Sequence, residues 1–320
     1  MSQDPVAPVQ SVGRPPATVS VDVDPVDLHL QGYGVRGAAP DPLVFAAALP
    51  RLLERFARAR VRATFFVVAR DAEAHAGVLR RLVAEGHEVA SHSLTHPLGL
   101  RRLPPGDLER ELAGSKRALE QATGGRVAGF RAPNFDVDRA VLRRIEAAGY
   151  VYDASLYPTP VLLAARLVLA MKSGDPGGVL RMSKWPWSLE RLPHRPLEGG
   201  RLVEFPTSVT PGLRWPVYHT MRLLGGRDVF MRRLRGFEGR GEPLAYTLHA
   251  VDALGLAEDD LDRRLAPHPG MGMPLAQKLA ALDEVIAFIA ARFEVLTFRE
   301  RLERGEGTGA RPGNRDGRRA

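Results

Sequence analysis

The sequence predicts an α/β fold built on a parallel sheet or barrel, and three observations carry the expectation. Short apolar, β-branched runs alternate with longer helical patterns of Leu, Ala and Arg, the rhythm of repeated strand–helix units. Residues capable of chemistry fall at the carboxyl ends of those runs. The chain has 320 residues, 44% of them hydrophobic and 26% charged, which suits one barrel-sized globular domain.

Taken in order, the first strand candidate is Thr18 to Asp24, and its period of 2 puts Asp22 and Asp24 on one face. A helical pattern over Leu43 to Ala59 leads to a second strand, Ala63 to Ala69, and another over Ala74 to Glu85 leads to a third, Glu88 to Ser93. Pro105 to Thr123 and Asp138 to Ala148 are helical, flanking a fourth strand at Ala128 to Ala132. The fifth, sixth and seventh strands are expected at Val151 to Ser155, Leu202 to Thr207 and Leu244 to Ala250. Pro274 to Arg292 reads as a long amphipathic helix, and Phe293 to Phe298 as a short closing strand. In a barrel of parallel strands, Asp22, Asp24, His92, Arg131 and His249 would converge on one face.

Residues 157–200 are too long for a simple connection and read as an insertion. Within it, Val161 to Lys172 is apolar on most faces and Trp185-Pro186-Trp187 follows. Trp215 to Leu224 has a similar character. Both segments suit packing against the barrel, or else an apolar lip or membrane-facing surface.

Composition excludes several functions. With no cysteine, thiolate metal sites, disulfides and cysteine nucleophiles are ruled out. The net charge is +8 and the pI about 10.2, but the arginines are scattered and lysine occurs only at Lys116, Lys172, Lys184 and Lys278. No basic stripe is interleaved with aromatics, so nucleic acid is not an expected partner, while peripheral contact with an anionic membrane stays open. Residues 1–16 are polar and proline-rich without a signal-length apolar core, and no run reaches the roughly 18 apolar residues of a membrane span. A cytoplasmic protein is expected, with peripheral attachment at the inner membrane as an option. Residues 304–320 read as a disordered basic tail, leaving 17–303 as the catalytic domain. Oligomeric state is not legible.

The chemistry is concentrated in a few stretches. His92-Ser-Leu-Thr-His96 spaces two imidazoles four apart; on a helical turn they would share a face and could hold one metal ion. Each piece alone also suits solvated histidines or a turn-capping aspartate. Two histidines, one carboxylate and an open position make up the donor set of a catalytic zinc site. Asp24, His92 and His96 are therefore the candidate ligands, with zinc expected and nickel, cobalt or iron as alternatives.

Four ordered stretches, Val21-Asp22-Val23-Asp24, His92 to His96, Gly129-Phe130-Arg131-Ala132-Pro133-Asn134-Phe135 and Tyr246-Thr247-Leu248-His249, resemble the motifs of the polysaccharide deacetylase (NodB-homology) family. Ala63-Thr64-Phe65-Phe66-Val67 resembles its second strand. The resemblance implies a distorted (β/α)7 barrel and a metal-dependent hydrolase that removes an N-acyl group, acetyl above all, from an amino sugar of a polysaccharide or lipid-linked glycan. It implies Asp22 as general base, Arg131 as its partner and His249 as general acid. The family's aromatic residue after the proline is Asn134 here, which keeps the backbone donor but not the ring. Asp153 and Asp252 are both candidates for the carboxylate beside His249, and Glu204 is expected to line the pocket. His87 matches a family pattern without a catalytic role, while His29, His75, His194, His219 and His268 are expected to be solvated or structural. The short first motif and the Leu-His-Ala ending also resemble the deformylase of an undecaprenyl-phosphate-linked amino sugar. From another class, a non-catalytic carbohydrate-binding relative is the rival reading.

Overall fold

Every strand pairing is parallel. The computed structural model describes residues 13–161 and 189–307, and its strands are β1 (Pro16–Val23), β2 (Thr64–Val67), β3 (Glu88–Ser91), β4 (Gly129–Phe130), β5 (Tyr152–Asp153), β6 (Val203–Glu204), β7 (Leu244–His249) and β8 (Glu294–Val295). Their order is β6-β5-β4-β3-β2-β1-β7, with β8 alongside the start of β1. Beyond β6, the Ser208 N–H donates to the Ala245 carbonyl at 3.2 Å and the Ala245 N–H to Ser208 Oγ at 2.8 Å. Two strands that do not pair are thereby joined, giving the distorted (β/α)7 barrel. The apolar run after Val161, the Trp185-Pro186-Trp187 pair, residues 1–12 and residues from 308 onward lie outside the described residues.

Alternation along β1 sets what the barrel contains. Val19, Val21 and Val23 face outward into the main core, against helices such as α1 (Val26–Gly32) and α2 (Leu49–Ala59). Thr18, Ser20 and Asp22 point the other way, are equally buried, and are met by the inward Phe66 of β2. Such a polar lining is stable only if every group finds a partner. Ser20 Oγ lies 3.0 Å from Thr247 Oγ1. Gly129 on β4 is required by close approach, because a Cβ there would sit 1.8 Å from the Tyr152 ring.

The amino-terminal end is sealed by the last helix, Phe298–Glu303. Buried Glu88 accepts from the Tyr152 hydroxyl, Thr64 Oγ1 and the Arg299 N–H. Buried Arg301 reaches Thr18 Oγ1 and the Leu244 carbonyl, and Glu306 balances its charge at 2.6 Å. Folded contacts thus run past the expected boundary at 303. Of the Trp215 to Leu224 segment, Val217 and Tyr218 are buried and Leu224 is exposed, so most of it is packing. Among the described residues, no helix is long and apolar enough to cross a membrane.

His87 is a structural histidine, as its motif implied. The Ala63 N–H donates to its Nδ1 at 3.0 Å, and the rings of Phe56 and Phe65 enclose it. Burial pushes its pKa down from 6.5 to about 4. Between those values the unfolded chain binds a proton that the folded chain refuses, so stability falls as the pH drops through that window. His87→Asn keeps an acceptor but cannot titrate there. Urea unfolding followed from pH 7 to 4.5 should give the variant a pH slope shallower by about one proton; equal slopes would show that His87 is protonated in the native state.

Candidate active site

The carboxyl ends of β1, β3, β4 and β7 bring the expected residues together. Asp24 Oδ1 lies 3.4 Å from His92 Nε2 and 3.8 Å from His96 Nε2, and one donor atom from each residue falls within 4.8 Å of the others. Asp24 Oδ1 is buried and has no hydrogen-bond partner. His92 Nδ1 lies 2.8 Å from the Arg131 carbonyl, which only accepts. That nitrogen therefore carries the proton, and the Nε2 lone pair faces Asp24, the tautomer and orientation a metal ligand needs. Burial holds His96 at a pKa of about 4, so its imidazole is neutral at physiological pH. The donor set fits a divalent ion bound by Asp24, His92 and His96.

The two histidines do not converge on a helical turn, as their spacing suggested. The stretch is an irregular loop in which Ser93 and His96 adopt left-handed φ values of 67° and 60°. Such backbone is strained for side chains larger than glycine, and hydrogen bonds hold it. Ser93 Oγ accepts from the His96 N–H at 3.0 Å. Buried Glu111 accepts from the Leu94 and Thr95 N–H groups at 2.9 Å and from Thr95 Oγ1 at 2.6 Å. No spacing signal pointed to Glu111, which is 15 residues beyond His96 in the chain.

Arg131 is fully buried. Its Nη1 donates to Asp22 Oδ1 at 2.6 Å, Nη2 to Ser20 Oγ at 3.1 Å and Nε to the Ala154 carbonyl at 3.0 Å, with the Phe66 ring 4.0 Å beneath it. Burial alone would raise the pKa of Asp22, but the charges of Arg131, His92 and His249 outweigh it and hold the carboxyl below its ordinary value.

Asp153 and Glu204 sit behind this pair. They are cross-strand neighbours and almost fully buried, so Glu204, expected to line the pocket, is instead enclosed beside Asp153. Burial and the nearby Asp153 push Glu204 well above the usual carboxyl range, and burial raises Asp153. Asp153 accepts from Ser155 Oγ at 2.7 Å, and that hydroxyl accepts from the Ala132 N–H at 2.8 Å. The chain anchors the loop carrying Asn134, which is exposed and, like Phe135, left-handed, with φ near 55° at both. The loop's far side is held by Asp136, which accepts from Arg101 Nε at 2.5 Å.

His249 pairs in register with Asp22, and its Nε2 lies 3.8 Å from Asp24 Oδ2. Neither expected carboxylate touches its ring nitrogens. Asp252 Oδ2 accepts from the His249 backbone N–H at 3.0 Å, and Asp153 is occupied elsewhere. The Tyr218 hydroxyl is at the ring instead, 2.8 Å from Nδ1 and 3.0 Å from Nε2. His29 and His268 pack at centroid distances of 5.4 Å and 6.3 Å from His249. His219 is buried against the Tyr246 hydroxyl at 2.6 Å. These three are structural rather than solvated. Of the two roles expected for them, solvated or structural, the structure shows the second, reached by tertiary contact rather than by spacing.

Residues 40–152 match the family model described as polysaccharide deacetylase. That segment resembles the polysaccharide deacetylases. Over 73 residues it is 42% identical to a chitooligosaccharide deacetylase of Sinorhizobium fredii, covering 23% of this chain and 34% of that protein. A peptidoglycan deacetylase of Helicobacter pylori is 29% identical over 143 residues, covering 42% of this chain and 47% of that protein. The first curated relatives are thus matched over about a third of their length. A Mycobacterium smegmatis crystal structure assigned to the polysaccharide deacetylases superposes with a TM-score of 0.60 at 20% identity, covering 98% of this chain and 100% of that one, which shows the fold. The matched segment contains His92, His96 and Arg131, whereas Asp22, Asp24 and His249 join the site through the barrel.

Two variants separate ligand from scaffold in this domain. His92→Ala should abolish metal retention, measured by plasma mass spectrometry after dialysis. Glu111→Ala removes no ligand but releases the His96 loop, and should weaken metal affinity about 10- to 100-fold in a chelator competition, as for partners that orient ligands. Unchanged affinity would mean the loop holds its shape without Glu111.

Proposed function

We propose that the protein is a metal-dependent deacetylase that hydrolyses the N-acetyl group of an amino sugar in an oligo- or polysaccharide. The supporting observation is the Asp24, His92 and His96 donor set flanked on one barrel face by Asp22 and His249. Chitooligosaccharide and peptidoglycan, named for relatives, are both polymers containing N-acetylated amino sugars. Zinc is the expected ion, and nickel, cobalt or iron would suit the same donors.

When bound, the metal supplies Lewis acidity toward the acyl oxygen and acidifies the hydrolytic water. Asp22, kept ionised and oriented by Arg131 through Oδ1, takes a proton from that water as its oxygen bonds to the acyl carbon. The amide C–N bond then breaks. His249, beside Asp24 Oδ2, gives a proton to the departing nitrogen, so the products are acetate and a free amino sugar. The resemblance assigns the developing oxyanion to a backbone N–H after Pro133, which in this chain is that of Asn134.

Zinc-loaded protein should release acetate from chitooligosaccharides, followed by mass spectrometry of the sugar. Asp22→Asn and His249→Ala should keep the metal and lose about 10²- to 10⁴-fold in kcat, the usual worth of a general acid or base. His249→Ala leaves the Arg131 charge paired, so its folding is the safer control. A single-digit-fold loss in it would remove His249 from the acid role. Turnover of a formylated, polyprenyl-linked amino sugar with none of chitooligosaccharides would move the substrate to the deformylase type.

A further inference from the structure

We infer that Tyr218 is a positioning residue for His249, occupying the place where a carboxylate partner was expected; the inference rests on the deacetylase reading of the site. Its hydroxyl is the side-chain group nearest the His249 ring nitrogens among the contacts described, at 2.8 and 3.0 Å. Asp252, the nearest carboxylate in sequence, is engaged with the His249 backbone N–H. Asp24 approaches the ring only to 3.8 Å and belongs to the ligand set.

Tyr218 is held there by the sheet rather than by a loose loop. Val209 and Pro216 form an antiparallel bridge, the Val217 N–H donates to the Ser208 carbonyl at 2.9 Å, and Tyr218 forms a parallel bridge with Thr247 of β7. His249 lies two residues beyond Thr247, on the same face of the strand, so the Tyr218 side chain reaches it diagonally. The two rings stand at 82° with centroids 5.5 Å apart. Behind Tyr218 comes Tyr157, at 6.1 Å, and then Phe135, at 4.7 Å from Tyr157. This aromatic wall fixes the phenol, which is itself 7% exposed.

A hydroxyl suits the position because it both donates and accepts, whereas a carboxylate only accepts. It can donate to an unprotonated ring nitrogen or accept from a protonated one, one nitrogen at a time. His29, edge-on at 5.4 Å, closes another side of the imidazole. The ring is thereby aimed at the cleft by neutral groups.

The test is a double-mutant cycle on zinc-loaded protein with a chitooligosaccharide. Tyr218→Phe should keep its metal content and KM and lose about 10- to 100-fold in kcat, the range for a hydrogen bond to a charged group. In the His249→Ala background the same substitution should cost nothing further. Equal losses in both backgrounds, or no loss in the first, would overturn the role. Nitrogen NMR of labelled histidines gives a readout independent of turnover: the His249 ring signals should shift in Tyr218→Phe while those of His87 do not. Unmoved His249 signals would overturn the inference even if no sugar is hydrolysed, and absence of wild-type hydrolysis with shifted signals would overturn only the deacetylase reading.

Discussion

The buried pair of Arg131 and Asp22 is the constraint on which the site depends. A guanidinium fully withdrawn from water is tolerated only when an opposite charge and further acceptors surround it. Arg131 meets that demand by touching four neighbouring strands or their ends. Its side chain contacts Asp22 and Ser20 on β1, Phe66 on β2 and Ala154 after β5, and its carbonyl takes the His92 ring after β3. Breaking such a pair from one side typically destabilises by about 3–5 kcal/mol. The same residue therefore ties β1, β2 and the ends of β3 and β5 together, keeps Asp22 ionised and sets the tautomer of His92.

Around that pair, strained backbone and the hydrogen bonds that hold it occur together. Ser93, His96, Asn134 and Phe135 all occupy left-handed conformations, and all lie in the two loops that follow β3 and β4 at the candidate site. Glu111 locks one loop and Ser155 with Asp136 lock the other. Single strained residues of this kind cost of order 1–3 kcal/mol each and persist only where the surroundings over-determine them. Here the surroundings are buried carboxylates whose acceptors are filled by loop N–H groups, an arrangement that aims side chains without placing them on regular elements.

Much of this was legible in the sequence, because period 2 and period 3.6 report which face of an element is buried. The candidate strands fell on the observed ones, and the residues at their carboxyl ends met as a barrel requires. Strand length was not legible: β4, β5 and β6 pair over only two residues each, where candidates of five or six residues suggested more. Pairing depends on neighbours distant in sequence, and in a distorted barrel those neighbours diverge. The helical turn assumed for His92 to His96 was wrong for a related reason, since spacing alone cannot distinguish a turn of helix from a loop held by Glu111. Tyr218 and the buried His29 and His268 gave no signal, as each reaches the site by tertiary packing from a connection.

The site is asymmetric in a way that bears on selectivity. The side with the candidate metal ligands and Arg131 is carried largely by residues 40–152, the segment that matches the family model, completed by Asp22 and Asp24 at the end of β1. The side proposed for the acid is assembled after that segment, from His249 and Asp252 on and beyond β7 and from Tyr218 on the connection between β6 and β7. In the proposed reaction, the groups acting at the amide must keep fixed positions relative to the metal donors, so their placement tolerates little variation. Recognition of a sugar would be under no such restriction. The loop bearing Asn134 and Phe135 and the wall formed by Tyr157 and Tyr218 pack ring against ring beside His249. The residues that determine which sugar enters are thus expected on the connections between strands, with the hydrolytic groups held at the strand ends.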